Sequence, residues 1–395
     1  MKPSEADETV SASPDSRDAE WSARLPEIPK STGVFWPSVI TGVLCSLFGL
    51  YLVFTPYQRA DRDPSPTQAP QPEPTRSSAQ PTTKLGNRVL RCGLVDSADS
   101  SFALALEKFR KDVQTRSAGK LQVELLTGGL VEGVQMDEKA LVEAVRAGKL
   151  ELGVSTTSPL TNYNHLLDVF DLPFLIRSPE QADKVIDGHV GRRLLESLQD
   201  KNLVGLAYME VGFRIFSSSV PLPDYASFSG KKLRVMQSVI FTRFITAIGG
   251  DAVPSPVDKI YMMGKEGYID GADRTYPTYW DFHLYDIHRY ITETHHAYSV
   301  KMVLANRDLY DSLSDQEQAI LRDASQEASR FQRQKQREAD KAVKALALKE
   351  GIKIFELSPA EREKFITASK TLYEGYRKNQ SEQILEQILG LAKSP

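Results

Sequence analysis

Two cysteines in 395 residues, Cys45 and Cys92, exclude a scaffold built on disulfides. Cys45 lies in an apolar run and Cys92 in the strand-like VLRCGLV, so both read as separate buried thiols. Charge of one sign is also lacking. Lys+Arg 49 against Asp+Glu 52 gives a net charge of −3, without the basic field that nucleic acid requires. No GxSxG elbow, GxGxxG, Walker A, HExxH or paired CxxC occurs, so neither a nucleotide cofactor nor a motif-marked hydrolase is expected. His283, His288, His295 and His296 do not compose a metal site, because adjacent residues of a strand point to opposite faces. The expectation is no enzymatic activity, no metal and no cofactor.

Between Lys30 and Arg59 there is no charged residue at all. The apolar stretch 33–56 is long enough to cross a bilayer core at ~1.5 Å per residue. Trp36 and Tyr57 lie near its ends, where amphipathic rings favour the headgroup region. With no polar face and no small-x-small cleavage site, it reads as an uncleaved membrane signal-anchor. Residues 1–32 are too polar to order themselves and form a disordered tail. Residues 57–86 form a Pro-rich linker, extended enough to hold the rest of the chain away from the bilayer. The globular part is 87–395.

That part alternates strand and helix. VLRCGLV is a strand; Phe102, Leu106, Phe109 and Val113 then recur at helical spacing. LQVELL is a second strand, DEKALVEAVRAG a helix ending on Gly148, and LELGVST a third strand. GKKLRV, VIFTRFITAIGG and DAVPSP repeat the pattern and predict a second α/β domain. Ser314 and Glu317 form a capping box for a helix running to about Glu350, and Ser358 opens another after IKIFEL.

Arginines carry the chemistry. Arg234 interrupts the apolar KLRVM, Arg214 stands in VGFRIFSSS, and Arg274 ends IDGADR. A desolvated guanidinium is expensive unless an anion meets it, and that anion is either an internal carboxylate or a ligand. The combination GKKLRV, then IGGDAVPSPVDKIYMMGKEGYIDGA, with LLDVFDLPFLIRSPEQADKVIDG upstream, resembles the DctP-type solute-binding subunits of TRAP transporters. The resemblance spans about residues 88–380. It implies a two-lobed periplasmic-binding-protein-like α/β fold with a hinge and a long helix spanning both domains. It also implies a small organic acid as ligand and TRAP membrane permease subunits as partners, with the domain in the periplasm on the cytoplasmic membrane. A tethered sensor using the same fold to signal elsewhere is the alternative.

On this resemblance Arg234 clamps a ligand carboxylate and Arg214 supplies a second contact. An internal pair with Glu210 or Asp251 is the other use for Arg214. Arg274 departs from the pattern, which usually has asparagine there. It either favours a further negative group on the ligand or pairs with Asp273 or Asp270. Phe170 and Tyr276 are candidate walls, Glu138 a candidate cleft acid, and Thr156 a candidate hydroxyl at a strand end.

Overall fold

The computed structural model describes residues 87–392, so the expected anchor at 33–56, the tail and the linker lie outside the described residues. Among the described residues no helix is long and apolar enough to cross a membrane.

The first half follows the alternation read from the sequence. It runs β1 (Arg88–Leu94), α1 (Ser101–Arg116), β2 (Leu121–Leu126), α2 (Glu138–Arg146) and β3 (Leu152–Thr156). Both helices start on a side-chain cap. Ser100 accepts from the Ala103 amide and Asp137 from the Ala140 amide, satisfying N–H groups that have no partner within the helix. Gly148 ends the second at φ +72°, a left-handed conformation that glycine adopts without steric cost. Phe102, Leu106, Phe109 and Val113 are all buried, the helical face the spacing predicts.

After helices and loops packed on this lobe, β4 (Leu203–Phe213) runs through Arg214 alone into β5 (Ile215–Ser218). Then come β6 (Lys232–Val235), α3 (Val239–Ala247), β7 (Asp251–Pro254), β8 (Gly271–Arg274), α4 (Tyr276–Asp281) and β9 (Tyr290–Glu293). The chain returns through 294–297 to β10 (Tyr298–Asn306) and continues into α5 (Asp315–Lys349), β11 (Lys353–Glu356), α6 (Pro359–Tyr376) and α7 (Glu382–Leu391).

Two mixed sheets result, ordered β2-β1-β3-β10-β4 and β11-β9-β5-β8-β6-β7. Each is the centre of one lobe. The main chain passes between them at β4–β5, at β9–β10 and along α5. The first two passages lie side by side, with the Arg214 amide donating to the Ala297 carbonyl at 2.8 Å. Short extended connections of this kind let two lobes rotate with few dihedral changes.

The long helix belongs to both lobes. The capping box is present: Ser314 Oγ accepts from the Glu317 amide, and the Glu317 carboxylate accepts from the Ser314 amide at 2.9 Å. Leu321, Ala324 and Ala328 of α5 enter the core of the first lobe. Within its last two turns, Val343 and Ala347 pack with Tyr276, Tyr279 and Trp280 of the second. Ser358 caps α6, but Glu361 does not complete a box there. Its carboxylate accepts from the Tyr225 amide at 2.9 Å instead.

Candidate ligand cleft between the lobes

A cavity of about 480 Å³ opens between the sheets, lined from one side by Asp96, Phe102, Glu138, Thr156 and Lys301 and from the other by Arg214, Arg234, Ser255, Arg274 and Phe282. The strand ends and the first interlobe passage place these groups, as expected where α/β sheets meet a ligand.

The second lobe contributes the cations. Arg214, Arg234 and Arg274 are 3%, 3% and 1% exposed, around an Asp273 that is fully buried. Arg214 donates from Nε to Asp273 Oδ2 at 2.7 Å, from Nη2 to the Asp273 carbonyl at 3.1 Å, and from Nη1 to Ser299 Oγ at 3.3 Å. Its internal partner is therefore Asp273, not Glu210 or Asp251. Arg234 donates from Nε to the Ser255 carbonyl at 2.8 Å, with Nη2 on the same oxygen, and its Nη1 lies 3.6 Å from Asp273 Oδ1. Burial alone would raise the Asp273 carboxyl, but Arg214, His296 and Arg234 together hold it well below the usual carboxylate range. Burial pushes the Arg234 guanidinium down to about 10, against the pull of Asp273.

Arg274 differs from both. Its Nε reaches the Ala272 carbonyl at 3.4 Å, a marginal contact, and neither Nη atom has a hydrogen-bond partner. It pairs with neither Asp273 nor Asp270 and does not face solvent. Burial and the neighbouring Arg234 drive its pKa well below the usual value.

The opposite wall is built on Lys301, in the apolar run YSVKMVLAN of β10. Its ammonium meets Asp96 and, at 3.0 Å, Glu138, and lies 4.6 Å from the centre of the Phe102 ring. Burial would lower its pKa, but the two carboxylates raise it above the usual value. Glu138 also accepts from Thr156 Oγ1. The wall is net negative, while the arginine side has three guanidiniums around one carboxylate.

Of the residues singled out in the sequence, Arg234, Arg214, Arg274, Glu138 and Thr156 come together on this cavity. Phe170 and Tyr276 do not line it. Phe170 packs in the core, 5.5 Å from the Tyr208 ring, because the DVFDLPF segment faces inward. The Tyr276 hydroxyl donates to Glu293 at 2.7 Å within the second lobe. Sequence reading missed Lys301 and Asp96, and named Asp273 only as a partner for Arg274, not for Arg214 and Arg234. Lys301 carried the same signal as Arg234, a cation inside an apolar strand.

Among the described residues no cluster of metal-ligating side chains occurs. His296 is buried between the rings of Phe216 and Phe244, at 4.6 and 5.3 Å.

Comparison with known proteins agrees with this geometry. The sequence profile described as "Bacterial extracellular solute-binding protein, family 7" (DctP) matches residues 93–379. The chain is 30% identical over 253 residues to the 2,3-diketo-L-gulonate-binding periplasmic protein YiaO of Escherichia coli, covering 64% of this chain and 76% of that one. The sugar acid binding protein DctPAm of Advenella mimigardefordensis, solved with galactonate, superposes with a TM-score of 0.74 at 28% identity, over 78% of this chain and 99% of that one. A TRAP periplasmic solute binding protein of Chromohalobacter salexigens with bound D-glucuronate gives 0.72 at 25%, over 76% and 99%.

Proposed function

The chain belongs to the DctP family of bacterial extracellular solute-binding proteins, and we propose that its ligand is a hydroxylated organic acid of the sugar-acid class. It is a TRAP-type receptor that takes a carboxylate through arginines outside the cytoplasm, a binder and not a catalyst. The single observation that supports the finer reading is the two-sided cleft. Guanidinium forks suit the acid end, and Lys301, Glu138, Asp96 and Thr156 offer donors and acceptors suited to hydroxyl groups. The three relatives hold or bind galactonate, D-glucuronate and a diketogulonate. Ligand touching both lobes favours the closed arrangement, because it gains contacts there that the open one lacks.

Arg234 is the proposed carboxylate clamp, with Arg214 held in place by Asp273 as its neighbour. Calorimetric titration of the full-length protein with galactonate, D-glucuronate and galactose is the test. Binding of at least one acid without binding of the neutral sugar is expected; galactose binding as well as the acids would overturn the reading.

The stretch 33–56 is proposed to anchor this receptor in the cytoplasmic membrane, with the linker 57–86 holding the lobes on the periplasmic side near the permease subunits. Its length and lack of charge support this. The full chain is expected to stay with membranes through carbonate extraction, and its release would show a cleaved signal instead.

A further inference from the structure

A guanidinium that is 1% exposed with both Nη atoms unpartnered is an anomaly, because a buried cation is ordinarily met by an anion or by hydrogen-bond acceptors. Among the described residues no such anion meets Arg274. Asp273 already serves Arg214 through Oδ2 and faces Arg234 through Oδ1. The Asp270 carboxylate accepts from the Lys232 amide at 2.8 Å. His288 lies near enough for Arg274 to depress its pKa, and it is held neutral. The Tyr279 hydroxyl donates to the His288 carbonyl.

Register then fixes where Arg274 looks. Arg234 of β6 pairs with Ala272 of β8 in a parallel ladder, and Arg274 stands two residues beyond Ala272. Residues i and i+2 share a face, so Arg234 and Arg274 are diagonal neighbours on one face of the sheet, and both line the cavity. A single carboxylate on Arg234 would still leave the arginine side with three guanidiniums against two negative charges. The opposite wall, where Asp96 and Glu138 outnumber Lys301, offsets that charge only across the cavity and gives the Arg274 Nη atoms no hydrogen-bond acceptor.

We infer that Arg274 is a specificity-determining residue that selects a ligand with two negative charges close together at one end, its hydroxyl-bearing remainder directed to the Lys301 wall. This rests on the acid-receptor reading of the cleft and narrows it. The second charge is a carboxylate within a few carbons of the first or a phosphate ester beside it, since a guanidinium fork receives either. An acid group at the far end of a six-carbon chain would meet Asp96 and Glu138 and gains nothing.

The experiment is calorimetric titration of the full-length protein at fixed salt, with acids matched in skeleton: tartrate against threonate, glucarate against gluconate, and glycerate 2-phosphate against glycerate. Wild type is expected to prefer tartrate or glycerate 2-phosphate over its monoacid by tenfold or more. The pair with the larger ratio identifies the second group. Glucarate over gluconate should show a smaller ratio than the better of these two pairs. Arg274→Asn and Arg274→Gln are both expected to bring the larger ratio to within about threefold of unity, chiefly by weakening the doubly charged acid. The thermal midpoint of each ligand-free variant, expected at or above that of wild type once the like-charge crowding is relieved, shows that the fold is retained. If acids bind and Arg234→Ala abolishes that binding, yet the ratios do not respond at position 274, this inference falls and the acid receptor stands. If no acid in either this panel or the galactonate series binds wild type, the acid-receptor reading itself falls.

Discussion

At the scale of single residues, the site was legible wherever a charge interrupted an apolar pattern. Arg234 announced itself in KLRVM because the only physical excuse for a cation there is an anion. The structure buries it with one edge on Ser255 and the other near Asp273. The aromatics were not legible, since a ring serves a core and a ligand wall equally well. Phe170 and Tyr276 went to the protein interior for that reason. The pairing of Asp273 with Arg214 and Arg234 was hidden because both arginines are far from it in sequence. For Arg234, substitution by lysine keeps the charge and loses the fork, and is expected to weaken acid binding by at least ~1.4 kcal/mol, about tenfold. Arg234→Ala is expected to weaken it further while the protein still melts cooperatively. Titration calorimetry with whichever acid binds wild type is the check, and equal affinity in all three proteins would remove Arg234 from the ligand. Asp273 acts differently. Asp273→Asn strands Arg214 without a counter-charge in the interior, and loss of one partner of a buried pair costs about 3–5 kcal/mol. Urea unfolding of variant and wild type measures it, and a change under about 1 kcal/mol would mean that Arg214 finds another partner.

At the scale of elements, local signals were reliable where the backbone itself demanded a residue type. Ser100, Asp137, Ser314 and Ser358 all cap helices, and Gly148 closes one, because free amide groups and left-handed turns admit few side chains. The alternation of strand and helix likewise showed two α/β halves. What no local signal carried was partnership. β10 lies between β3 and β4 in the first sheet although it follows β9 of the second. Sheet order depends on contacts between residues far apart in sequence, and the apolar runs of β4 and β10 fit either sheet. Glu361 makes the same point, since its carboxylate, three residues after the Ser358 cap, is taken by a distant amide at Tyr225. The long helix α5 invites a prediction. Both halves of its box are formed, so Ser314→Ala should lower stability by about 1 kcal/mol. The urea midpoint reads this, and an unchanged midpoint would show that packing of α5 on α1 and β4 holds the helix start without its cap.

At the scale of the whole molecule, both lobes share one apolar core, and a group buried where they meet titrates. Asp171 is 1% exposed and receives Ser158 Oγ at 3.0 Å. Ser158 lies on the short helix Thr157–Leu160 that follows β3, and Ser238, at the start of α3 in the other lobe, is near enough to lower the carboxyl's pKa. Burial pushes Asp171 up to about 7 despite both serines, with Asp168 adding to the rise and Arg214 opposing it. The folded value is therefore above the unfolded one, so between about pH 4 and 7 the folded protein binds more protons. Stability from this group is full below that window and is lost as pH rises through about 7, by at most ~1.4 kcal/mol per pH unit. His288 works in the opposite sense. Burial, helped by Arg274, pushes it down to about 3, so its contribution is present above pH 6.5 and lost as pH falls. The two slopes partly cancel in wild type and would mask each other in a simple pH profile. A difference measurement separates them, because Asp171→Asn keeps a neutral polar group between the serines and leaves His288 untouched. Relative to that variant, wild type is expected to lose on the order of 2–3 kcal/mol of unfolding free energy between pH 5 and pH 8. Urea unfolding of both proteins at the two pH values measures it. A difference that stays constant with pH would mean that Asp171 is ionised between the lobes throughout, with Ser158, Ser238 and Arg214 compensating its burial.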